Sequence, residues 1–435
     1  MECKIKRFGF SSGERSALLV MSESGLPLMY QNLYMTIHHR NTGDSINTII
    51  ACLGALKMLE QIFEYLDVDI QHRFTKGLLL SDPELESIAY WSKKSIESLE
   101  EAKAIKRAKN IVQVQSKRIE LSRFVVTIDS DLVSPITTYN RITHFSKYCS
   151  WLANTLAPSE AKKNIDLMGE KLLAFRPKKR TSQSDDGNDE GFMSLTENQI
   201  IRLLDVVRPD SSENPWKSKA VRYRNQMIVN LLYDVGCRKA ELLNLKATDL
   251  DSGSNEIKIR RSADDANDPR KDQPLVKTMS RDVAVSQDVF TMIDDYVLYY
   301  RSNVKGAGRT SFLVLSHQQG ASSASPLSIS GLNKIFRKLS AVLGFNVNPH
   351  AFRHTWNDEF SAEVESLIEG EEMTEGEAEE TRSYLMGWKE GSGTAKTYTK
   401  RYQKKKAVRF SLGLQEKRRS KVNEVVGRYD EDIDF

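Results

Sequence analysis

Residues 349–356 read PHAFRHTW, and a helix start is written into them. Pro349 suits a first helical position, where its missing N–H would have no intrahelical partner. His350 and Arg353 are three residues apart, so they share one helix face. The N-terminus of a helix already favours an anion. A guanidinium there adds planar, paired hydrogen bonds to a phosphate, and an imidazole can move a proton or donate one. Short motifs match by chance, so an HxxR pair alone is more often an ordinary polar helix start.

Three other stretches bear on that reading: GCRKAELLNL at 236–245, MGW at 386–388 and KTYTKRY at 396–402. Gly236 is a helix stop. Arg238 follows at the turn, and Glu241, three residues on, is placed to hold its guanidinium. Trp388 and Tyr398 come from the last two stretches. A phenol with its ordinary pKa of ~10 is a poor nucleophile, and neighbouring cations must assist it. Tyr402, four residues further along the same face, is the rival to Tyr398. Taken singly, each is more often a surface arginine or a packed aromatic.

Around these stretches the pattern is mainly helical with a small antiparallel sheet, an α+β arrangement. Helices are expected at 221–233, 239–246, 286–301, 328–343, 349–368 and 376–387. Strands are expected at 256–260, 274–277 and 282–286, with a polar loop over 262–273. Thr196 and Gln199 have capping-box spacing. Upstream, helices are expected at 43–66, at 83–110 behind a Ser81–Glu84 capping box, and from Pro135 to Leu156, with short strands at 4–10 and 26–38. Residues 177–191, PKKRTSQSDDGNDEG, carry no apolar periodicity and read as a linker. The domains are therefore drawn at 1–176, linker 177–193, 194–412, and a tail at 413–435.

Composition is that of a soluble globular chain: 435 residues, 40 % hydrophobic, 28 % charged, net charge +4. The charge is unevenly spread. Residues 401–420 hold eight Lys or Arg against one Glu, a phosphate-attracting cluster or a solvated face, whereas 365–380 are strongly acidic. That crowded acidic run suits a solvated stretch better than a two-metal nuclease site. No apolar run of 18 residues and no secretory h-region are seen, so no membrane segment is expected. Cys3, Cys52, Cys149 and Cys237 form no CxxC pair, which argues against a disulfide framework or a zinc site and fits a reducing cytoplasm.

In order and spacing, Arg238-Lys239-Ala240-Glu241-Leu242, then a hairpin lysine, His350 to Arg353, Gly387-Trp388 and Tyr398 resemble the tyrosine recombinase (phage integrase) family. The resemblance covers 194–402, and the helical first half is similar to that family's core-binding domain. Trp388 stands where many members have histidine, and the step from Trp388 to Tyr398 is one residue longer than usual. The hairpin lysine is assigned to Lys277, in VKTMSRDVAVS, with Lys271 as the alternative.

What the resemblance implies is a site-specific DNA recombinase, an integrase or transposase of a mobile element. Arg238 and Arg353 would bracket the scissile phosphate. Tyr398 would form a 3′-phosphotyrosyl link, Lys277 would protonate the 5′-oxygen, His350 would assist proton transfer and Trp388 would hydrogen-bond the phosphate. No cofactor and no metal are implied. The implied partner is double-stranded DNA with specific recombination sites, bound by a homotetramer that passes through a Holliday junction, with an accessory DNA-bending or directionality factor also admitted and no membrane. The N-terminal domain would clamp the duplex across from the catalytic domain, in the cytoplasm at the nucleoid. Two alternatives stay open: a topoisomerase that also uses a phosphotyrosine, and a catalytically inactive DNA-binding relic.

Overall fold

The computed structural model describes residues 2–115, 131–178, 194–262, 264–318, 324–389, 391 and 393–431. The chain divides into two compact units, Met1–Asp186 and Gly187–Phe435. The segment read as a linker lies mostly outside the described residues.

The first unit opens with an antiparallel hairpin, β1 (Cys3–Gly9) and β2 (Arg15–Met21). The expected strand at 26–38 is not there. Met29–Met35 is helix α1, followed by a π-helical turn at Thr36–Arg40. The buried positions of α1 (Gln31, Asn32, Tyr34 and Met35) follow helical rather than alternating spacing. Asn32 ties the helix down, donating to Leu19 O and Leu28 O and accepting from Leu19 N.

Helix α2 (Ile46–Leu66) is the spine of this unit. It is long and apolar enough to cross a membrane, but 61 % of its apolar window is buried inside the unit, as in a core helix. Short α3 (Ile70–Thr75) follows. The helix expected over 83–110 is two, α4 (Asp82–Ser92) and α5 (Ile96–Gln115), separated at Lys93–Ser95. The break is held by a bridge from Lys94 to Leu132 and by Arg141, which donates to Ser92 O and Lys94 O. Both halves of the Ser81–Glu84 capping box form. Helix α6 (Pro135–Leu156) and α7 (Ile165–Ala174) complete the unit. Its core is built from Ile49, Leu53, Leu56, Ile62, Phe145 and Leu152, all buried.

The second unit begins at α8 (Glu197–Val207), capped as expected by Thr196 and Gln199. Helix α9 (Lys219–Val235) ends at Gly236 in the left-handed conformation (φ 58°). A side chain at 236 would meet Trp356 Cβ and Cγ at 2.9 Å, so both backbone and space call for glycine. Helix α10 (Lys239–Asn244) leads to a three-stranded antiparallel sheet, β3 (Leu250–Asp251), β4 (Glu256–Ile259) and β5 (Arg281–Ala284).

The strand expected at 274–277 reduces to a single bridge between Val276 and Ser262. Pro274 cannot donate to a ladder, and the third strand comes instead from Leu250–Asp251. The intervening loop is not merely solvated. Asp268 and Arg270 form an ion pair with both side chains 3 % exposed, and Arg270 also donates to Leu243 O and Leu327 O.

Helix α11 (Gln287–Asp295) runs into a π-helical stretch at Tyr296–Arg301, and α12 (Ile329–Leu343) follows. Then come α13 (Pro349–Glu369), α14 (Glu375–Met386) and α15 (Thr394–Glu431). The acidic stretch therefore forms the end of one helix, a short connection and the start of the next. The residues read as a tail continue α15 as helix to Glu431.

Candidate active site

Four elements meet around the main-chain carbonyl of Met386, at the end of α14. Gly387 takes a left-handed conformation there (φ 62°), turning the chain so that this carbonyl faces inward. A side chain at 387 would run into the Arg281 guanidinium and meet Thr278 Cβ at 3.0 Å.

Arg353 reaches this point from the start of the second turn of α13. It is 1 % exposed, and its two terminal nitrogens donate to Gly236 O at 3.1 Å and Met386 O at 2.8 Å. Its guanidinium lies 5.3 Å from the centre of the Trp388 ring. Burial foremost, then the nearby Arg238 charge, lowers its pKa to about 10, so it stays cationic at neutral pH. Arg238, at the N-cap of α10, approaches the same carbonyl, with Nη1 3.4 Å from Met386 O. Its side chain is 37 % exposed and opens toward solvent, which Arg353 does not.

Glu241 differs from the expectation that it holds the Arg238 guanidinium. Its carboxylate accepts the Arg238 main-chain N–H at 2.8 Å, while the Arg238 guanidinium stands off at 3.8 Å. Its main partner is Arg281, from the start of β5. Arg281 Nη2 lies 3.0 Å from Oε2 and Nη1 3.2 Å from Oε1, and Thr278 also donates to Oε1. Arg281 in turn donates through Nε to Leu385 O at 2.7 Å, tying the sheet to the end of α14. Sequence reading missed this arginine. The available signal was a charged residue opening an otherwise apolar alternation, RDVAV, next to the invoked lysine.

Burial alone would raise the Glu241 carboxyl, but the Arg281 hydrogen bonds and charge, with Thr278 and the Arg238 N–H, hold it below its ordinary value. A depressed carboxyl contributes stability above its unfolded pKa and loses it as pH falls through the folded one. The second unit should therefore weaken below about pH 4.3, the ordinary glutamate value. Glu241→Gln should remove that part of the acid dependence. By leaving Arg281 buried without its counter-ion, it should also cost about 3–5 kcal/mol at neutral pH. Denaturant melts of both proteins from pH 3 to 7 check this. A Glu241→Gln curve parallel to the parent across the whole range would contradict it.

Tyr398 lies on the second turn of α15 and is 7 % exposed. Its ring stacks on Trp388, with centroids 5.2 Å apart and planes 18° apart. Met386, Trp388, Ala395 and Tyr398 form a small apolar cluster of their own, with Trp356 against it. Tyr398 is close enough to act electrostatically on both Arg238 and Arg353. The Trp388 Nε1 is buried and has no hydrogen-bond partner, an arrangement that normally costs about 1–3 kcal/mol.

His350 sits at the start of α13, exposed, and its main-chain N–H donates to Asn348 Oδ1. Partial burial, then the charges of Arg353, Arg238 and Lys239, keep its imidazole below the usual value. Its ring packs edge-on to His354, 4.3 Å away, and His354, buried, lies 5.7 Å from the Tyr398 ring. His354 was not singled out in the sequence, although it stands one turn after His350.

Lys277 is exposed and lines a cleft of about 430 Å³ together with Arg238, Thr278, Gly387 and Trp388. Lys271 is exposed and is not among the residues lining that cleft. Tyr402 is directed elsewhere: its hydroxyl donates to Glu365 at 3.0 Å, beside Lys406, which pairs with the same carboxylate.

Comparison with known proteins shows what the chain is similar to. Residues 193–366 match the model of the phage integrase family. That match lies within the second unit and ends before Gly387, Trp388 and Tyr398. Transposase A from transposon Tn554 of Staphylococcus aureus is 21 % identical over 327 residues, covering 72 % of this chain and 75 % of the transposase. Among solved structures, the XerH site-specific recombinase bound to palindromic difH substrate has a TM-score of 0.41 at 14 % identity, covering 88 % of this chain and 93 % of that one. The Tn1549 transposon integrase in complex with transposon right end DNA has a TM-score of 0.35 at 14 % identity, covering 71 % and 93 %.

Proposed function

We propose that this protein is a site-specific recombinase of a mobile element, which cuts and rejoins DNA through a covalent link to Tyr398. One observation supports the reading above the others: Arg238 and Arg353 share the Met386 carbonyl, and the Tyr398–Trp388 stack lies alongside them.

A phosphate entering beside Arg238 would meet two fixed positive charges whose orientation costs nothing at the moment of reaction. The Tyr398 hydroxyl attacks phosphorus, the bond to the 5′-oxygen breaks, and a 3′-phosphotyrosine remains. The tyrosine proton passes by way of His350, which is exposed, to water, and the departing 5′-oxygen takes a proton from Lys277. A 5′-hydroxyl from the partner strand then attacks the phosphotyrosine and restores the phenol. Bond energy is kept in the protein–DNA link, so one hard exchange becomes two easier ones. Exchange between two duplexes needs four such sites, which a homotetramer holding a Holliday junction supplies. An accessory DNA-bending or directionality factor would bias its outcome. The place of action is the nucleoid, in the cytoplasm.

Trp388 supplies a donor from a face that no protein group uses. Trp388→Phe keeps the ring stack and removes the N–H. Unfolding free energy should fall modestly, because the smaller ring leaves a void while deletion of the unpaired N–H offsets part of that loss, so cleavage is compared well below either melting temperature. Single-turnover cleavage should fall about 10- to 100-fold, as expected for one hydrogen bond to a charged oxygen. Equal cleavage by the two proteins would remove Trp388 from the mechanism.

Lys277→Ala should lose about 10²- to 10⁴-fold in cleavage, the usual contribution of a general acid. A substrate with sulfur in place of the bridging 5′-oxygen should restore it, because a thiolate leaves without a proton. Lys271→Ala should behave as the parent. Rescue of Lys271→Ala instead would exchange the two assignments.

The reading as a whole is tested by incubating the protein with plasmids carrying none, one or two copies of its element's end sequence. Recombinant products only with two sites are expected. Relaxation of the site-free plasmid would indicate a topoisomerase, and no covalent product on any substrate a DNA-binding relic.

A further inference from the structure

The first unit contains a second cluster with its own chemistry. His39 comes from the π-helical turn Thr36–Arg40, Cys52 from α2 and His144 from α6. One ligand atom from each lies within 4.8 Å of the other two. The sequence rule that sought paired cysteines could not find this group, because its members come from three separate elements.

Three further facts concern these atoms. Cys52 is fully buried. His39 Nε2 and His144 Nδ1 are both shielded from solvent, and neither has a hydrogen-bond partner. His39 Nδ1 lies 2.8 Å from Asp44 Oδ2. A carboxylate can only accept, so the Nδ1 of His39 carries a hydrogen, which leaves Nε2 as the ring atom able to bind a metal. A carboxylate behind a histidine in this way is the usual support of a metal-bound imidazole.

We propose that His39, Cys52 and His144 bind one zinc-like divalent cation, with Asp44 orienting His39 from behind. Two imidazoles and a thiolate suit a borderline-soft ion such as zinc, not calcium or magnesium, which take oxygen ligands. Ligand atoms around a tetrahedral zinc lie roughly 3.3–3.6 Å apart, given bonds of about 2.0–2.3 Å. Separations of up to 4.8 Å thus need to close by at most roughly 1.2–1.5 Å. Binding replaces the Cys52 thiol proton, which leaves to water, with the metal. Water takes the fourth position. The nearby Lys147 charge opposes the ion and Asp44 favours it; both groups act on Cys52 and His144.

The ion would staple the π-helical turn to the two longest core helices described in this unit. π-Helical turns are rare, and those that occur are frequently at functional sites. Here it brings His39 to face α6, with its ring 5.9 Å from that of His144. None of these residues takes part in the proposed DNA chemistry, so either idea can fail alone.

The test uses the full-length protein, stripped with a chelator and titrated with cobalt(II), which reports its ligands by colour. One equivalent should give visible d–d bands and a near-ultraviolet thiolate-to-cobalt band, and one equivalent of zinc should abolish both. Cys52→Ser, nearly the same shape, should lose the thiolate band. His144→Ala should bind at least tenfold more weakly. Cys149→Ser and Cys237→Ser should match the parent. Zinc should also raise the thermal midpoint of the parent but not of Cys52→Ser, with far-ultraviolet circular dichroism confirming that each variant is folded. If a variant does not fold, the parent alone decides through its thiolate band and stoichiometry. No thiolate band in the parent, or the same band in folded Cys52→Ser, would overturn the proposal.

Discussion

Tyr398→Phe should yield no covalent protein–DNA adduct on a nicked duplex that traps the cleaved state, while binding the same duplex as tightly as the parent. The two outcomes separate because of how the ring is held. Its stack on Trp388 and its place in the Met386–Trp388–Ala395 cluster depend on the aromatic face, which phenylalanine retains. Only the hydroxyl is lost, and no other residue described beside the two arginines offers a phenol. Tyr402→Phe should still form the adduct, since its hydroxyl is engaged with Glu365. Denaturing gels of the three proteins with labelled DNA show the difference. An adduct with Tyr398→Phe, or its loss with Tyr402→Phe alone, would move the nucleophile.

Arg353→Lys should be the second most damaging conservative change, with cleavage reduced about 10²- to 10³-fold. The charge survives, so DNA affinity and its salt dependence should change little. What fails is geometry. The guanidinium serves Gly236 O with one nitrogen and Met386 O with another while lying near the Trp388 ring. An ammonium on a flexible stem cannot reproduce a planar fork, and so cannot join α9, α13 and α14 at one point. At least one buried carbonyl would be left without a donor, at about 1–3 kcal/mol. Single-turnover cleavage at saturating protein, well below the melting temperature, distinguishes the catalytic loss from this destabilisation. Parent-like cleavage would show that Arg353 is a structural tie only.

Much of this site was legible in the sequence because its parts are local. An HxxR pair at a proline-started helix, a glycine stop before Arg238 and a short step from Gly387-Trp388 to Tyr398 are all short-range patterns. Helix α6 was read at its observed ends, Pro135 and Leu156, and Pro135 suits the first helical position it occupies. What escaped notice is non-local. Arg281 matters only because folding brings β5 against α10 and the end of α14. The role of Glu241 changed for the same reason: the nearer arginine in sequence is not its closer partner in space. The strand expected at 26–38 failed because a short apolar run fits either periodicity, and Asn32 decided for helix through contacts with β2. The His39–Cys52–His144 cluster draws on three elements and shows no spacing that a linear reading could recognise.

The most direct measurement identifies the bond itself. The adduct formed on a nicked duplex is digested with protease and nuclease, and the nucleotide-bearing peptide is sequenced by mass spectrometry. A 3′-phosphate carried on Tyr398 is the predicted product. Attachment through Tyr402, through a 5′-phosphate or through any residue other than tyrosine would contradict the account.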